Sequence, residues 1–237
     1  MLGRPRVLRL RTSRFGLLAA GGCLVLAAAL AVPIEQAVTA RQPGREVTVR
    51  QLAAGKMLVA SRRLADPNFT ETVLLLIEYR TDGAAGLVLT RQSELPLARA
   101  LPDLAPVAPL AMRPFVGGPV AHETVLALSR TACPGCRMVT RGVHLVNDGD
   151  MLRQRLASGD DDRTLRVYTG YAGWSAGQLA AEVREDAWRV VPGDAAAVFD
   201  GEPETLWRRM LARAESVLAD RGTGGEPSGA DVVDGLR

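Results

Sequence analysis

The chain has 237 residues, of which 47% are hydrophobic and 23% are charged, and these proportions are typical of a globular protein with an apolar core. They exclude a collagen-like chain, a coiled coil and a wholly disordered chain. Aromatic residues make up only 4%, so the stacking platforms of single-stranded nucleic-acid binders are scarce. The composition predicts a folded domain, but it does not identify a reaction.

The net charge of +3 comes from the N-terminal arm. Residues 1–14 contain five arginines and no acidic residue, whereas residues 41–237 contain 24 basic and 25 acidic residues. A domain so close to neutrality lacks the basic surface that DNA-binding proteins use to neutralise phosphates. We therefore expect no nucleic-acid partner.

An uncharged apolar run follows the basic arm, from Phe15 to Val32. Its eighteen residues are just long enough to cross a bilayer as a helix, and the arginines before it predict a cytoplasmic N-terminus. The run predicts a single-pass membrane anchor, with the following domain outside the cytoplasm; for a bacterial chain this means the inner membrane and the periplasm. The alternative is a signal peptide that is cleaved after Ala31, because Ala29-Leu30-Ala31 has the small-x-small pattern.

The rest of the chain divides into three parts. Residues 33–54 predict a linker, residues 55–218 a folded domain, and residues 219–237 a disordered tail rich in Gly, Pro and Asp. Short apolar runs of strand length recur in the folded part: Met57–Ala60, Val73–Tyr79, Ala85–Leu89, Thr124–Leu128, Val143–Val146 and Leu165–Tyr168.

Three helices are predicted among and after these strands. The first covers residues 150–157. The second begins at a capping box, in which Ser175 and Gln178 each satisfy a free backbone N–H, and it ends at Glu185. The third covers residues 203–218, where a proline suits the first helical position. Strands and helices of mixed length in irregular order predict an α+β domain with a mixed sheet. The apolar stripe of the third helix consists of Leu206, Trp207, Met210, Leu211 and Ala214.

Five segments of the folded part carry a family resemblance. They are Gly55–Ala60, Asp66–Phe69, Gly83–Leu89, Gly117–Val120 and Gly170–Trp174, the last with Gly177, Gln178 and Trp188. In this order and at these spacings, from residue 55 to about residue 212, the chain resembles the YqgE/AlgH family. The motif residues that the resemblance assigns to structure or to a binding surface are Asp66, Pro67, Asn68, Phe69, Gly86, Gly117, Gly118, Pro119, Gly170, Tyr171, Gly173, Trp174, Gly177, Gln178 and Trp188.

The resemblance implies a fold and a class of function. The fold is an α+β domain whose mixed, bifurcated sheet curls into a pseudo-barrel with flanking helices. The family has no settled enzymatic activity, so we expect no catalytic residue and no cofactor. A non-catalytic binding or regulatory module with an unknown protein or small-molecule partner is the leading interpretation. Some members are described as transcriptional regulators, which makes a cytosolic regulator an alternative.

The chain departs from the family in three places. Members usually lack an exported N-terminus, and an exported domain cannot reach DNA, which argues against the regulator. The hairpin that usually ends in Asn-Arg-Pro ends here in Thr90-Arg91-Gln92. The segment Cys133-Pro-Gly-Cys136 is also foreign to the family pattern.

The cysteine pair has four interpretations. Pro-Gly at the centre of Cys133–Cys136 predicts a type II turn, which brings the outer Cα atoms within about 7 Å, a separation that a disulfide can span. Outside the cytoplasm the pair should oxidise, so a disulfide is the preferred prediction. The alternatives are two free thiols, a redox-active dithiol, and a zinc site formed by His122, Cys133, Cys136 and His144.

The glycine-rich segment has a possible catalytic motif. Residues 173–177 spell G-x-S-x-G, the pattern of the hydrolase nucleophile elbow, but those hydrolases place their histidine after the serine. Both histidines of this chain precede Ser175, so we expect that residue to cap a helix. We predict a tight turn here, with Gly170 and Gly173 at positive φ or too close to neighbours for a Cβ, so that a side chain at Gly173 would destabilise the domain.

Overall fold

The computed structural model describes residues 49–223. The predicted basic arm, the predicted membrane segment and most of the predicted linker (residues 1–48) lie outside the described residues, as do residues 224–237 of the predicted tail. None of the helices within residues 49–223 is both long enough and apolar enough to span a bilayer.

Strands and helices alternate irregularly along the described chain, as the α+β prediction requires. The strands are β1 (Lys56–Ala60), β2 (Val73–Arg80), β3 (Gly83–Val88), β4 (Phe115–Val116), β5 (Val120–Ser129), β6 (Arg137–Thr140), β7 (Val143–Val146), β8 (Leu165–Ser175) and β9 (Trp188–Pro192). The helices are α1 (Leu97–Ala100), a 3-10 helix (Pro102–Leu104), α2 (Gly149–Ala157), α3 (Gln178–Arg184), α4 (Ala195–Val198) and α5 (Pro203–Thr223).

The strands join in one curled sheet with the order β6-β7-β5-β8-β3-β2-β1-β9, and β4 lies beside β8. Neighbouring strands run antiparallel, except that β4 and β8 are parallel. The curled sheet forms a half-barrel with flanking helices, which confirms the α+β prediction. The mixed character of the sheet is limited to the short β4–β8 pair.

The two ends of the curled sheet approach each other where β6 lies against the start of β1 and the end of β9. These contacts close the half-barrel. A Cβ on Gly55 would collide with the carbonyl oxygen of Val139 in β6, and a Cβ on Gly193 would collide with the carbonyl oxygen of Gly55. Only glycine therefore allows these backbones to approach so closely.

An arginine links β6 to the opposite part of the sheet. The register between β2 and β3 shifts between Leu76 and Glu78, and such an irregularity leaves the intervening Ile77 outside the regular ladder. Arg137, the first residue of β6, donates a hydrogen bond from Nη2 to the Ile77 carbonyl oxygen at 2.8 Å. The side chain thus provides the donor for that strand carbonyl.

Two apolar clusters form the core. The larger one joins β1, β2 and β3 to the aromatic residues and to α5, and the smaller one lies under α1 and α2. All five residues of the predicted stripe on α5 are buried, which confirms that helical face, although α5 continues to Thr223 rather than ending at Leu218. The smaller cluster contains Leu97, Leu104, Met112, Val125, Ala127, Val146, Leu152, Leu156, Leu165 and Val167.

The predicted tight turn in the glycine-rich segment is wrong, because β8 continues through this segment to Ser175. Residues Tyr168, Gly170, Ala172 and Trp174 face the interior, while the residues between them are more exposed. This alternation of period two is the pattern of a strand with one buried face. Glycines within a strand can mark a close backbone approach as well as a turn.

The capping box forms only in part. The Oε1 atom of Gln178 accepts hydrogen bonds from the backbone N and the Oγ of Ser175, both at 3.1 Å. Helix α3 begins after Gly177, whose φ is +75°, and no side chain caps the helix there. The prediction that the Ser175 hydroxyl accepts a bond from a free helical N–H is therefore wrong, because this hydroxyl donates to Gln178 instead.

The two glycines singled out in the sequence differ. Gly170 has a φ of +67°, and a Cβ there would lie 2.7 Å from the Gly118 carbonyl oxygen and 2.9 Å from that of Val120, which confirms the prediction for this residue. The prediction for Gly173 is wrong. Its φ lies outside the left-handed region, and a Cβ would meet its nearest neighbour, the Tyr171 ring, at an ordinary 3.4 Å.

This contrast gives a matched pair of variants. We expect Gly170→Ala to lower the free energy of unfolding by about 1–3 kcal/mol, because alanine would be strained at this φ and its Cβ would contact two carbonyl oxygens. Gly173→Ala should change it by no more than about 0.5 kcal/mol. Urea denaturation measures both values, and equal losses in the two variants would contradict the assignment.

Candidate functional site

The loop Gly117–Pro119 crosses β8 with its backbone in direct contact with the strand. The Gly117 N–H donates to the Thr169 carbonyl oxygen at 2.8 Å, and the Gly117 carbonyl oxygen accepts from the Val88 N–H at 2.9 Å. A Cβ on Gly117 would collide with the Gly170 carbonyl oxygen, and a Cβ on Gly118 would collide with the backbone of β8. The structure therefore brings two family motifs together at one crossing.

Three aromatic residues from separate motifs pack on the inner side of β8. Phe69 stacks on Trp174 with ring centroids 6.1 Å apart and an interplanar angle of 19°. Trp188 meets both rings edge to face, at 5.8 Å from Phe69 and 6.2 Å from Trp174. Gly86 lies beneath this cluster, since a Cβ there would be 3.4 Å from the Trp174 ring. Both tryptophans are buried, so they support the site rather than form its surface.

Glu182 of α3 fixes the two tryptophans. Its Oε2 atom accepts from the indole Nε1 of Trp174 at 3.0 Å and from that of Trp188 at 2.8 Å. Its Oε1 atom accepts from the Gln178 amide at 3.0 Å. Glu182 was not predicted from the sequence, although buried indole N–H groups need acceptors and Gln178 and Glu182 share one helical face four residues apart.

The loop at Asp66–Phe69 is an exposed turn that holds Phe69. Asp66 Oδ1 accepts from the Asn68 N–H at 2.8 Å, and the Asp66 carbonyl oxygen accepts from the Phe69 N–H at 2.9 Å. Arg91 donates from Nη2 to the Pro67 carbonyl oxygen at 2.9 Å. The arginine that this hairpin shares with the usual Asn-Arg-Pro ending therefore anchors the loop.

On its outward side, the C-terminal half of β8 forms a largely apolar surface, here called the β8 face, which consists of Val116, Val120, Thr169, Tyr171 and Gly173. Val116 pairs with Thr169, and Val120 pairs with Tyr171, and paired residues lie on the same side of a sheet. The two valines are 38% and 36% exposed. On this surface, Val120 of one motif reaches solvent together with Tyr171 and Gly173 of the other.

The strand beside this face is irregular. The pairing between β5 and β8 shifts between Val120 and Val125, and Ala121 has a φ of +48°, which is unfavourable for a residue with a Cβ. Partial burial raises the pKa of Tyr171, and the negative charge of the exposed Glu123 raises it further. Strained backbone of this kind is frequent at functional sites.

Behind the β8 face lies a buried charge that the sequence analysis missed. Arg166 is 3% exposed, its guanidinium lies 4.7 Å from the centroid of the Phe115 ring, and it donates to the Asp200 carbonyl oxygen. Burial raises the pKa of the neighbouring Tyr168 well above its usual range, and the positive charge of Arg166 opposes only part of that effect. Both residues face the interior of the sheet and do not contribute to the exposed surface.

The Cys133–Cys136 segment forms the predicted turn. Gly135 has a φ of +75°, and the Cys136 N–H donates to the Cys133 carbonyl oxygen at 3.0 Å. The Cα atoms are 5.2 Å apart, and the structure joins the two cysteines by a disulfide. The pair lies away from the β8 face, in the loop that connects β5 to β6.

The alternative zinc site does not form. His144 pairs with Ser129 near the end of β5, whereas His122 lies seven residues earlier on that strand, about 20 Å away at the usual rise per residue. The described residues contain no group of three or more His, Cys, Asp or Glu that could hold a metal ion. The histidines flank the cysteines in sequence, but the length of β5 separates them in space.

The nucleophile-elbow pattern also remains incomplete. Ser175 ends β8, and its hydroxyl hydrogen-bonds to the Gln178 amide oxygen at 3.1 Å. His122 lies next to Gly170, and His144 lies in β7 on the far side of β5. Among the described residues, neither histidine hydrogen-bonds to Ser175.

The carboxylate of Glu182 provides a test of the aromatic cluster. Glu182→Ala would leave two buried indole N–H groups without their acceptor, so we expect it to lower the free energy of unfolding by about 1–3 kcal/mol. Glu182→Gln keeps one acceptor oxygen and should lose less. Thermal unfolding followed by tryptophan fluorescence measures both, with the exposed Glu185→Ala on the same segment as the control. Equal effects at the two positions would contradict this role.

The sequence comparisons agree on one family. A model described as AlgH-like matches residues 57–219. A UPF0301 protein of Chlorobium luteolum is 37% identical over 166 residues, which cover 68% of this chain and 86% of the relative. UPF0301 protein SCO2948 of Streptomyces coelicolor is 38% identical over 176 residues, which cover 70% of this chain and 88% of the relative.

Solved structures resemble the domain as well. The solution structure of the AlgH protein from Pseudomonas aeruginosa matches with a TM-score of 0.56 and 32% identity, and the match covers 74% of this chain and 95% of that one. The crystal structure of protein DIP2367 from Corynebacterium diphtheriae matches with a TM-score of 0.59 at 24% identity, over 69% of this chain and 87% of that one. The second likeness supports the fold alone.

Proposed function

The chain belongs to the AlgH-like family, and from this premise we propose that its domain is a non-catalytic binding module whose protein partner docks on the β8 face. One observation carries the proposal. Two family motifs contribute to this surface, where Val120 and the adjoining Val116 are exposed to solvent, although the neighbouring strand residues Phe115 and Tyr168 are buried. Exposed apolar residues at such a place are typical of an interaction site.

The chemistry of the face favours a protein partner. The floor at Gly173 is flat, because Gly173 has no side chain, and the side chains of Tyr171 and Val120 lie beside it. An apolar side chain of the partner would fit over this glycine and against these two residues, and a basic residue beside it would meet the carboxylate of Glu123. Aromatic residues such as Tyr171 are common in the centre of protein interfaces.

A site-specific crosslink tests this docking. A photo-reactive amino acid at Val120, in the full chain expressed in its own host, should give one discrete adduct with a second protein. The same group at Leu110, which is 92% exposed and lies off the β8 face, should not give that adduct. Glu123→Lys should weaken the adduct by reversing the charge that the partner meets, whereas Glu94→Lys, another exposed acidic position, should leave it unchanged.

Several results would overturn the proposal. An adduct of equal strength at both positions would mean nonspecific contact, and an adduct between two copies of this chain would assign the face to self-association. The absence of an adduct at Val120, or an adduct insensitive to Glu123→Lys, would remove the docking site as described.

We also propose that the module works in the periplasm, tethered to the inner membrane by residues 15–32. The proposal rests on the arginine-rich arm followed by the uncharged run from Phe15 to Val32. It favours a membrane-tethered module over a cytosolic transcriptional regulator, because the domain would be separated from DNA.

A topology reporter measures the location. A reporter that is active only in the periplasm, fused after Arg237, should be active in the full chain and inactive when residues 1–32 are deleted. Cell fractionation should place the intact protein with the membranes, or show a shortened form if cleavage follows Ala31. Full-length protein in the cytosolic fraction would contradict the tether.

A further inference from the structure

The Cys133–Cys136 pair lies in the loop that connects β5 to β6, two strands that β7 separates in the sheet. Pro134 and Gly135 at the turn are exposed, and the two cysteines are half-buried against the smaller apolar cluster. The peptide between them therefore faces solvent, so that a thiolate of another molecule can approach the disulfide from the side of the turn.

The fold of the domain as a whole does not depend on the disulfide. The turn is closed by its own backbone hydrogen bond from Cys136 to Cys133, and β5 and β6 both pair with β7. The covalent loop spans only four residues, so it restricts the unfolded chain very little. Both the oxidised and the reduced forms should therefore be folded, which a reversible switch requires.

The residue after the second cysteine connects the pair to the closure of the half-barrel. Arg137 follows Cys136 directly and donates to the Ile77 carbonyl oxygen. Two residues further on, the Val139 carbonyl oxygen lies against Gly55. Strand β6 is four residues long and lies at the edge of the sheet, and short edge elements of this kind open at low cost in free energy.

We propose that Cys133–Cys136 is a thiol–disulfide exchange site for a protein dithiol, and that its reduction releases β6 from the closing contacts with Ile77 and Gly55. A thiolate of the dithiol attacks one sulfur of the pair, forms a mixed disulfide and displaces the other sulfur as a thiolate. The second thiolate of the dithiol then attacks the dithiol's own sulfur in the mixed disulfide. This step releases the remaining cysteine of the pair as a thiolate and leaves the dithiol oxidised. Two electrons and two protons pass to the pair, which becomes two thiols.

Hydrogen exchange on the full chain tests the switch. Reduction with dithiothreitol, a small dithiol, should speed amide exchange in residues 137–140 and around Ile77 by about tenfold, because local opening sets the exchange rate. Exchange in residues 165–175 of β8 should not change. The double Cys133→Ser/Cys136→Ser variant should show the fast exchange without any reductant.

A second variant separates the switch from a general loss of stability. Arg137→Met in the oxidised protein should reproduce the fast exchange around Ile77 while the disulfide stays intact, whereas Arg141→Met, at a nearby exposed arginine, should not. Unchanged exchange in β6 on reduction would overturn the proposal. So would a uniform increase across the domain, or failure of a thioredoxin-like protein that lacks its second active-site cysteine to form a mixed disulfide with the oxidised wild-type chain.

Discussion

The contact between the loop Gly117–Pro119 and β8 is the constraint on which the rest of the domain depends. The loop backbone lies so close to the strand that Gly117, Gly118 and Gly170 each exclude a Cβ. The same contact pairs β4 with one part of β8, while β3 pairs with the next part. Because β8 also pairs with β5, this strand joins the two halves of the curled sheet, and the glycines make that junction possible.

The family motifs have two roles, because β8 is buried on one side and exposed on the other. Some motif residues form the core, and others form the exposed surface. On the inner side, Phe69, Trp174 and Trp188 form a cluster whose polar edges are satisfied by Glu182. On the outer side, the β8 face carries apolar residues that the core does not use. A rigid aromatic support behind a flat, partly apolar surface limits the entropy that a binding partner would have to remove.

The elements that could be predicted from the sequence are those whose buried residues form a long apolar run or stripe. The continuous apolar run of β2 and the apolar stripe of α5 both appear as expected. The strands β4, β6 and β9 were missed because β4 has only two residues, and because β6 and β9 lie at the two edges of the sheet, where partial exposure leaves no continuous apolar run. The second half of β8 was taken for a turn because glycine allows both a turn and a close backbone contact.

In the candidate site, too, features that depend on neighbouring residues could be predicted, whereas features that depend on the tertiary structure could not. The turn at Cys133–Cys136 follows from Pro-Gly alone, and the structure has it. The zinc alternative fails because only the tertiary structure shows that β5 separates His122 from His144. Glu182 and Arg166 were not recognised, because a charged residue on a helix or a strand is ordinarily solvated, and only the tertiary structure brings the two indole N–H groups to Glu182 and the Asp200 carbonyl oxygen to Arg166.

Strand β1 depends on residues that the ribosome supplies late. One of its edges pairs with β9, where Leu58 lies opposite Val190, and the carbonyl oxygen of Ala60 accepts from the Trp207 indole at 2.8 Å. Contacts between residues so distant in sequence slow folding, because a long loop must close before they form. During synthesis one edge of β1 therefore stays unpaired until most of the chain has been made. A chain that crosses a membrane as it is synthesised would begin its passage before this sheet could close.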